Sequence, residues 1–173
     1  MYTDVYVSLE NERHEWRTEE EVRLGWYHAL RGTLKIPIRA ERGRTDLSYN
    51  QIIVEFKGKG LFNENENSQK FKEAIYDRLA KYIPAKAKHD GLLESDYIGV
   101  AIDGDSIAFA RIEQDGEPIV HGPLMPLSIA SVGLVFEAFR FSERRAVTAE
   151  NLVEDFSHSS DIGKKMMQVL SDA

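Results

Sequence analysis

The stretch Ile52-Ile53-Val54-Glu55-Phe56-Lys57 begins with β-branched residues and ends with a carboxylate and an ammonium two residues apart. β-branched residues favour strands, so this segment is predicted to be a largely buried strand. Side chains alternate between the faces of a strand, which puts Glu55 and Lys57 on one face and Phe56 on the other. Burying an unpaired charge is costly, so the two charged groups must pair, reach the edge of the sheet or bind something.

The elements predicted around this strand make an α/β protein with a central mixed sheet flanked by helices. Upstream, Thr18 is predicted to cap a helix, with Glu21 completing a capping box and Gly32 ending it. Residues 33–40 alternate as a first strand, and residues 46–49 form a short second strand. Downstream the patterns predict a polar loop at 61–67 and then a helix from the cap Ser68 to about 83, followed by Pro84. Strands follow at 97–102 and 107–112, joined by a turn at 103–105, and a further strand lies within 117–124. The last predicted elements are helices at 127–140, 148–156 and 160–171.

Length and composition restrict the class of protein. The 173 residues suit one domain, and the absence of cysteine excludes disulfides and thiolate zinc sites and fits a cytoplasmic protein. No apolar run is long enough to cross a bilayer. The net charge of -7 argues weakly against DNA binding, but basic residues concentrate between residues 31 and 59. The members of this basic region are Arg31, Lys35, Arg39, Arg42, Arg44, Lys57 and Lys59.

A magnesium ion would resolve the charges on the central strand. Magnesium prefers oxygen ligands, commonly one or two carboxylates with water and phosphate oxygens. A hairpin turning near Asn50 would bring Asp46 close to Glu55, and the backbone carbonyl of Phe56 is a third candidate ligand. Lys57 would then orient or deprotonate a metal-bound water, or neutralise charge on an attacked phosphate. A turn aspartate and a compensated Glu-x-Lys pair without any catalytic role are the structural alternative.

Glu19 is a fourth candidate site residue. By helical spacing it shares the stripe of Val22, Arg23, Trp26 and Leu30, so it is predicted to face the sheet from the first turn of its helix. It either complements the helix dipole and pairs with Arg23, or serves as a carboxylate that binds metal-ligated water or a second ion.

The order of these motifs resembles a known family. Three runs carry the resemblance, namely 18–23 (Thr-Glu-Glu-Glu-Val-Arg), 44–47 (Arg-Thr-Asp-Leu) and 53–57 (Ile-Val-Glu-Phe-Lys). They are similar to the N-terminal nuclease domain of Type I, Type IIG and Type ISP restriction enzymes, which has the PD-(D/E)XK fold. In later segments, residues 99–111 resemble the hairpin that follows the catalytic strand, and residues 148–156 resemble the connection to a helical and methyltransferase region.

The resemblance implies a magnesium-dependent endonuclease, with manganese as a possible substitute ion, acting on double-stranded DNA in a restriction-modification system. It assigns catalysis to Glu19, Asp46, Glu55 and Lys57, with Asp46, Glu55 and the Phe56 carbonyl on the metal. The candidate DNA contacts are Arg42, Arg44, Lys59 and Arg78. Two departures stand out: Thr45 replaces the usual proline, and Arg78 replaces the glutamine of a Gln-x-x-x-Tyr motif that ends at Tyr82.

The resemblance also divides the chain. Residues 1–145 would form the nuclease domain, and residues 146–173 a helical segment leading toward a methyltransferase. Covalently linked methyltransferase and target-recognition domains, and transient dimerisation for double-strand cleavage, are the expected partners. Two other functions stay open: an inactive scaffold or nucleic-acid clamp with the same fold, and a repair or resolvase-type nuclease.

Overall fold

The computed structural model describes residues 1–34, 47–141 and Lys164, and within them a mixed sheet carries helices on both faces. The elements are α1 (Tyr2–Glu12), α2 (Glu19–Leu34), β1 (Leu47–Tyr49), β2 (Ile52–Phe56), α3 (Gln69–Lys72), a π-helical segment (Glu73–Leu79), α4 (Ala80–Asp90), a 3-10 turn (Glu94–Asp96), β3 (Ile98–Ile102), β4 (Ser106–Arg111), β5 (Val120–His121), β6 (Met125–Pro126) and α5 (Ile129–Phe141). This confirms the α/β class with a mixed sheet that the sequence predicts.

The sheet has the strand order β1-β2-β3-β4-β5 in this part of the chain, with β6 also paired to β4. Strands β1 and β2 form the expected antiparallel hairpin, in which Leu47 stands opposite Val54. Its turn contains Asn50 at a φ of 50°, a left-handed conformation that asparagine tolerates well. Strands β2 and β3 are parallel, with Glu55 opposite Ala101, and β3 and β4 form the second predicted hairpin.

Two apolar clusters lie on opposite faces of the sheet. The first includes Phe56 and packs against α1, α2 and α5, and the second includes Ile53 and packs against residues 69–90. We call residues 69–90, which comprise α3, the π-helical segment and α4, the crossover helix. The alternation predicted for the central strand is thus confirmed, because neighbouring residues of β2 enter different clusters.

Helix α2 continues two residues beyond its predicted end at Gly32. Thr33 and Leu34 are helical instead of opening a strand, and the rest of the predicted strand at 33–40 lies outside the described residues. A glycine in a helix interior costs only about 0.5–1 kcal/mol relative to alanine. The fully buried Val22 and Trp26 anchor this helix on the sheet, so packing outweighs that penalty.

The crossover helix also passes its predicted end. Ser68 caps it as expected, accepting a hydrogen bond from the Phe71 N–H, but Pro84 lies inside α4 instead of after it. Buried Ile83 and Ala87 continue the apolar face on both sides of the proline, so packing compensates for the lost backbone bond. The helix ends at Gly91, whose φ of 69° is the left-handed conformation typical after a helix.

Three further features differ from the sequence predictions. Helix α1 was not predicted, although its buried Val5 and Leu9 pack into the first cluster. The region 61–67 consists of turns that bury Phe62 completely, with its ring edge-on to Phe71 at a centroid distance of 5.3 Å. The strand expected within 117–124 shrinks to Val120–His121.

Helix α5 matches the helix predicted at 127–140 within two residues. The predicted helices at 148–156 and 160–171 lie outside the described residues, except for Lys164, which is helical. None of the helices within residues 1–34 and 47–141 has the length and apolar character that a membrane span requires.

Two glycines of α2 should respond oppositely to alanine. A Cβ at Gly25 would overlap the ring of Trp16, which packs on it, whereas a Cβ at Gly32 meets nothing within 4 Å. Gly25→Ala should therefore lower the free energy of unfolding by about 1–3 kcal/mol, as overpacking does. Gly32→Ala should raise it by about 0.5–1 kcal/mol through helix propensity. Urea unfolding of both variants checks the pair, and an equal effect of the two would contradict this packing of Trp16.

Candidate catalytic site

The charged pair at the end of β2 is buried. The Lys57 Nζ lies 2.6 Å from the Glu55 Oε1, and each side chain is only 5% exposed. The Lys57 N–H donates to the Ile102 carbonyl at 2.8 Å, so the backbone of Lys57 is held against the end of β3. Glu55 and Lys57 therefore share one face of the strand, as the sequence predicts, and they meet on the side of the crossover helix.

Two more carboxylates approach the same ammonium. The Glu73 Oε1 lies 3.4 Å from the Lys57 Nζ, and the Glu19 Oε2 lies 4.0 Å from it. Glu19 comes from the first turn of α2 and is half exposed, and Glu73 begins the π-helical segment and is 26% exposed. One buried cation thus lies among carboxylates from a strand and from two helices.

The environment of Lys57 keeps its side chain protonated. Burial by itself would lower the pKa of the ammonium, because it penalises the charged form. The hydrogen bond and the charge of Glu55, with added attraction from Glu19 and Glu73, outweigh that penalty and raise the pKa of Lys57 above its ordinary value. The Lys57 ammonium is therefore a hydrogen-bond donor to Glu55 in an environment that favours its charged form.

Basic side chains of the crossover helix flank the buried pair. The Arg78 Nε lies 3.9 Å from the Glu55 Oε1, and its Nη1 donates to the Tyr82 hydroxyl at 3.3 Å. On the other side, the Lys70 Nζ binds the Glu73 Oε2 at 2.8 Å. Opposite charges therefore alternate across the site, from Lys70 through Glu73, Lys57 and Glu55 to Arg78.

Asp103 holds the chain that leaves the site. Its carboxylate is buried and accepts hydrogen bonds from the Phe62 N–H at 2.7 Å, the Ser106 N–H at 2.7 Å and the Asp105 N–H at 3.1 Å. Its carbonyl accepts from the Gly60 N–H at 3.0 Å. These bonds attach the turn after Lys57 to the turn between β3 and β4, and they fix the exit of β2.

The structure brings three of the predicted catalytic residues together, since Glu19, Glu55 and Lys57 meet within the distances given above. Asp46, Arg42 and Arg44 lie outside the described residues. Arg78 stands at the rim of the site, whereas Lys59 lies toward Gly104 in the β3–β4 turn, where a Cβ would be 3.6 Å from the Lys59 Cγ.

The capping residues of α2 have the expected arrangement. The Thr18 N–H donates to the Glu21 Oε2 at 2.8 Å and the Glu21 N–H donates to the Thr18 Oγ1 at 3.2 Å, which is the predicted capping box. Arg23 forms an ion pair with Glu20 at 3.6 Å. Glu21 is therefore engaged in capping the helix. Glu19 is the acid of this turn that approaches Lys57.

Glu73 is the site residue that sequence reasoning missed. In an α-helix, residues five apart point about 140° away from each other, so Glu73 and Arg78 would not be expected on one side. The π-helical segment changes this spacing, because its hydrogen bonds join residues five apart. In the sequence, the only indication of this contact is that Glu73 stands five positions before Arg78. That spacing indicates a shared side of the helix only when the helix has a π-helical turn.

The donor chemistry of the site suits a hard divalent cation, since Glu55, Glu19 and Glu73 all offer carboxylate oxygens. Within residues 1–34 and 47–141, no group of three or more histidine, aspartate or glutamate side chains has the arrangement of a preformed metal site. The predicted ligand Asp46 lies outside these ranges. The Phe56 carbonyl lies between Glu55 and Lys57 in the strand, at the same end of the sheet.

No protein-family model matches the chain, and no curated protein or solved structure matches it significantly.

Removing one charge of the buried pair should destabilise the fold more than removing both charges. Lys57→Met leaves the buried Glu55 without its closest cation, and should lower the free energy of unfolding by about 3 kcal/mol. The double variant Glu55→Leu/Lys57→Met removes both charges and should recover part of that loss, because a buried ion pair also carries a desolvation penalty. Urea unfolding at neutral pH measures both effects. A single variant as stable as the wild type would mean that the pair is solvated.

The raised pKa of Lys57 also predicts a pH dependence. A lysine with a higher pKa in the folded state stabilises the fold fully below its unfolded pKa, and loses this contribution as the pH rises through the folded value. The stability advantage of the wild type over Lys57→Met should therefore be constant up to about pH 10.5, the ordinary lysine value, and should shrink above it. Urea unfolding of both proteins between pH 8 and pH 12 measures this difference. An advantage that begins to fall below pH 9 would indicate a lowered pKa.

Proposed function

We propose that this chain is a magnesium-dependent endonuclease of the PD-(D/E)XK class that hydrolyses phosphodiester bonds in double-stranded DNA. The observation that carries the proposal is the buried Glu55–Lys57 pair at the end of β2, met by Glu19 from the first turn of α2. These are the strand glutamate, the strand lysine and the helix acid of the nuclease pattern that the sequence resembles. Their convergence from separate elements supports a shared chemical role.

The cost of this arrangement supports a function in preference to a structural role. Apolar residues of similar volume are often as stabilising as a buried ion pair or more so, because the two charges must be desolvated. Here the pair lies in the same strand as fully buried Ile53 and Phe56, where apolar side chains would pack readily. The presence of both charges at the buried end of β2 is better explained by a catalytic role than by a contribution to stability.

Each residue has a defined role in the proposed reaction. Asp46, Glu55 and the Phe56 carbonyl would hold the magnesium ion, which when bound lowers the pKa of water and offsets charge on the phosphate. Leu47 and Val54, which pair in the hairpin, directly adjoin Asp46 and Glu55 in the sequence. Lys57 would orient or deprotonate the attacking water, or stabilise negative charge on the phosphate. Glu19 would hold a water at the solvent side.

DNA would approach from the rim of the site. Arg78 is half exposed beside Glu55, and with Arg42, Arg44 and Lys59 it forms our proposed set of phosphate contacts. The net charge of -7 opposes tight binding by this chain alone. The sequence resemblance leads us to propose that the site belongs to a restriction-modification enzyme of the cytoplasm. There, linked methyltransferase and target-recognition domains would bring DNA to it, and transient dimerisation would allow both strands to be cut.

Cleavage of linear duplex DNA tests this function. With magnesium supplied, the wild-type chain should nick or cut DNA at substrate concentrations high enough to offset weak binding. Lys57→Met, Glu55→Gln and Asp46→Ala should each lose about 100-fold or more of the rate, as removal of a group acting on the transition state does. Agarose-gel assays with and without a chelator measure these rates.

A matched control tests for effects of surface charge, and urea unfolding of each site variant separates catalysis from folding. Glu113→Gln removes an exposed carboxylate that pairs with Arg111 at the end of β4. This change should leave the cleavage rate unchanged. Full activity of Asp46→Ala or Lys57→Met would overturn the proposal. A folded wild type that binds neither magnesium nor manganese and cuts neither linear nor branched DNA would favour the inactive scaffold. Selective cutting of branched DNA would instead favour a repair or resolvase-type nuclease.

A further inference from the structure

Glu73 has no part in the nuclease pattern, yet its carboxylate lies closer to Lys57 than the carboxylate of Glu19 does. Its two oxygens have separate partners. The Oε2 binds the Lys70 Nζ at 2.8 Å, and the Oε1 lies 3.4 Å from the Lys57 Nζ. Lys70 thus orients the carboxylate so that its second oxygen points at the buried ammonium.

The helix departs from α geometry at this place. The π-helical segment runs from Glu73 to Leu79, and its wider turn brings Glu73 and Arg78 onto the side of the helix that faces β2. In an α-helix, one of the two would turn about 140° away from the strand. Such π-helical turns are uncommon and occur frequently at functional sites. The backbone is therefore shaped to present Glu73 as well as Arg78.

A carboxylate beside Lys57 becomes important when Glu55 binds a cation. The Glu55 Oε1 now accepts from the Lys57 Nζ at 2.6 Å, and a divalent cation on the same carboxylate would repel that ammonium. A buried ammonium that lost its partner would carry a heavy desolvation penalty. The site therefore needs a second anion within reach of Lys57.

We propose that Glu73 is a positioning residue for Lys57. The Glu73 carboxylate would pair with the Lys57 ammonium when a divalent cation binds Glu55. Glu73 suits this role better than Glu19, because it is nearer to Lys57 and more buried. The hydrogen bond from Lys70, opposed by burial and assisted by the charge of Lys57, lowers the pKa of Glu73, so its carboxylate is ionised at neutral pH. This inference rests on the proposed metal-dependent function, since it assigns Glu73 a part in cation binding at the same site.

Manganese binding to the full chain, measured by calorimetry without DNA, tests the proposal. Glu73→Gln should weaken the binding of Mn²⁺ about tenfold, the lower end of the effect of outer-shell partners of metal sites, because the ammonium would then stay on Glu55 and oppose the cation. Glu73→Asp keeps the charge and should retain part of the affinity. Asp77→Asn makes the same change of charge at an exposed position of the same helical segment, and should alter the affinity less than twofold.

The background of Lys57→Met separates a positioning role from direct ligation. If Glu73 acts through the ammonium, Glu73→Gln should have no effect on Mn²⁺ affinity once Lys57 is gone. Lys57→Gln provides a second background if the methionine variant does not fold, and urea unfolding verifies the fold of each protein.

The outcomes are distinct. The same loss of affinity with and without Lys57 would make Glu73 a metal ligand and overturn the positioning role. An unchanged affinity of Glu73→Gln in the wild-type background would also overturn it, and would leave the proposed nuclease function standing. A folded wild-type chain that binds no Mn²⁺ would overturn the metal-dependent function and this inference together.

Discussion

Strands β2 and β3 run parallel, with Glu55 opposite Ala101, so the chain between them must cross from one end of the sheet to the other. The crossover helix makes this connection and covers one face of the sheet, while α1, α2 and α5 cover the other. The parallel pairing also aligns the ends of β2 and β3, where Lys57 bonds to Ile102 and Asp103 begins the next turn. The site exists at this end because the pairing brings strand, helix and turns together.

The energetics of the site differ from those of the core around it. Burial of Ile53 and Phe56 stabilises the fold because their apolar side chains leave water. Burial of Glu55 and Lys57 costs free energy of hydration, which only their contacts with each other and with charged neighbours offset. Alternating charges limit that loss, since each buried or half-buried group has an opposite charge beside it. The same arrangement keeps positive charge near the end of the strand, where the proposed phosphate substrate would need it.

The crossover helix does two tasks that ordinary α geometry would not combine. Its apolar residues Phe71, Ile75 and Leu79 are fully buried against the sheet, and Glu73 and Arg78 reach the charged pair from the same helix. The π-helical turn accommodates both sets of contacts by changing the angular spacing along the helix. Local backbone geometry thus brings both sets of residues to the same face of the sheet.

Local signals in the sequence determined much of this protein. The alternation in β2 put Glu55 and Lys57 on one face, the asparagine and Asp-Gly-Asp turns marked both hairpins, and Thr18 with Glu21 marked the start of α2. Helical spacing also directed Glu19 toward the sheet. Each of these predictions depends on residues only a few positions apart in the sequence. Asp46 lies outside the described residues, so its place beside Glu55 stays a prediction.

Tertiary structure alone decided the remainder. Helices continue through Gly32 and Pro84 because buried side chains elsewhere in each helix outweigh a local penalty. Phe62 packs on Phe71, and its N–H donates to Asp103, far away in the sequence. The position of Glu73 beside Lys57 depends on a π-helical turn and on contacts between segments far apart in the chain. Packing energies are summed over distant neighbours, and no local pattern of residues contains that sum.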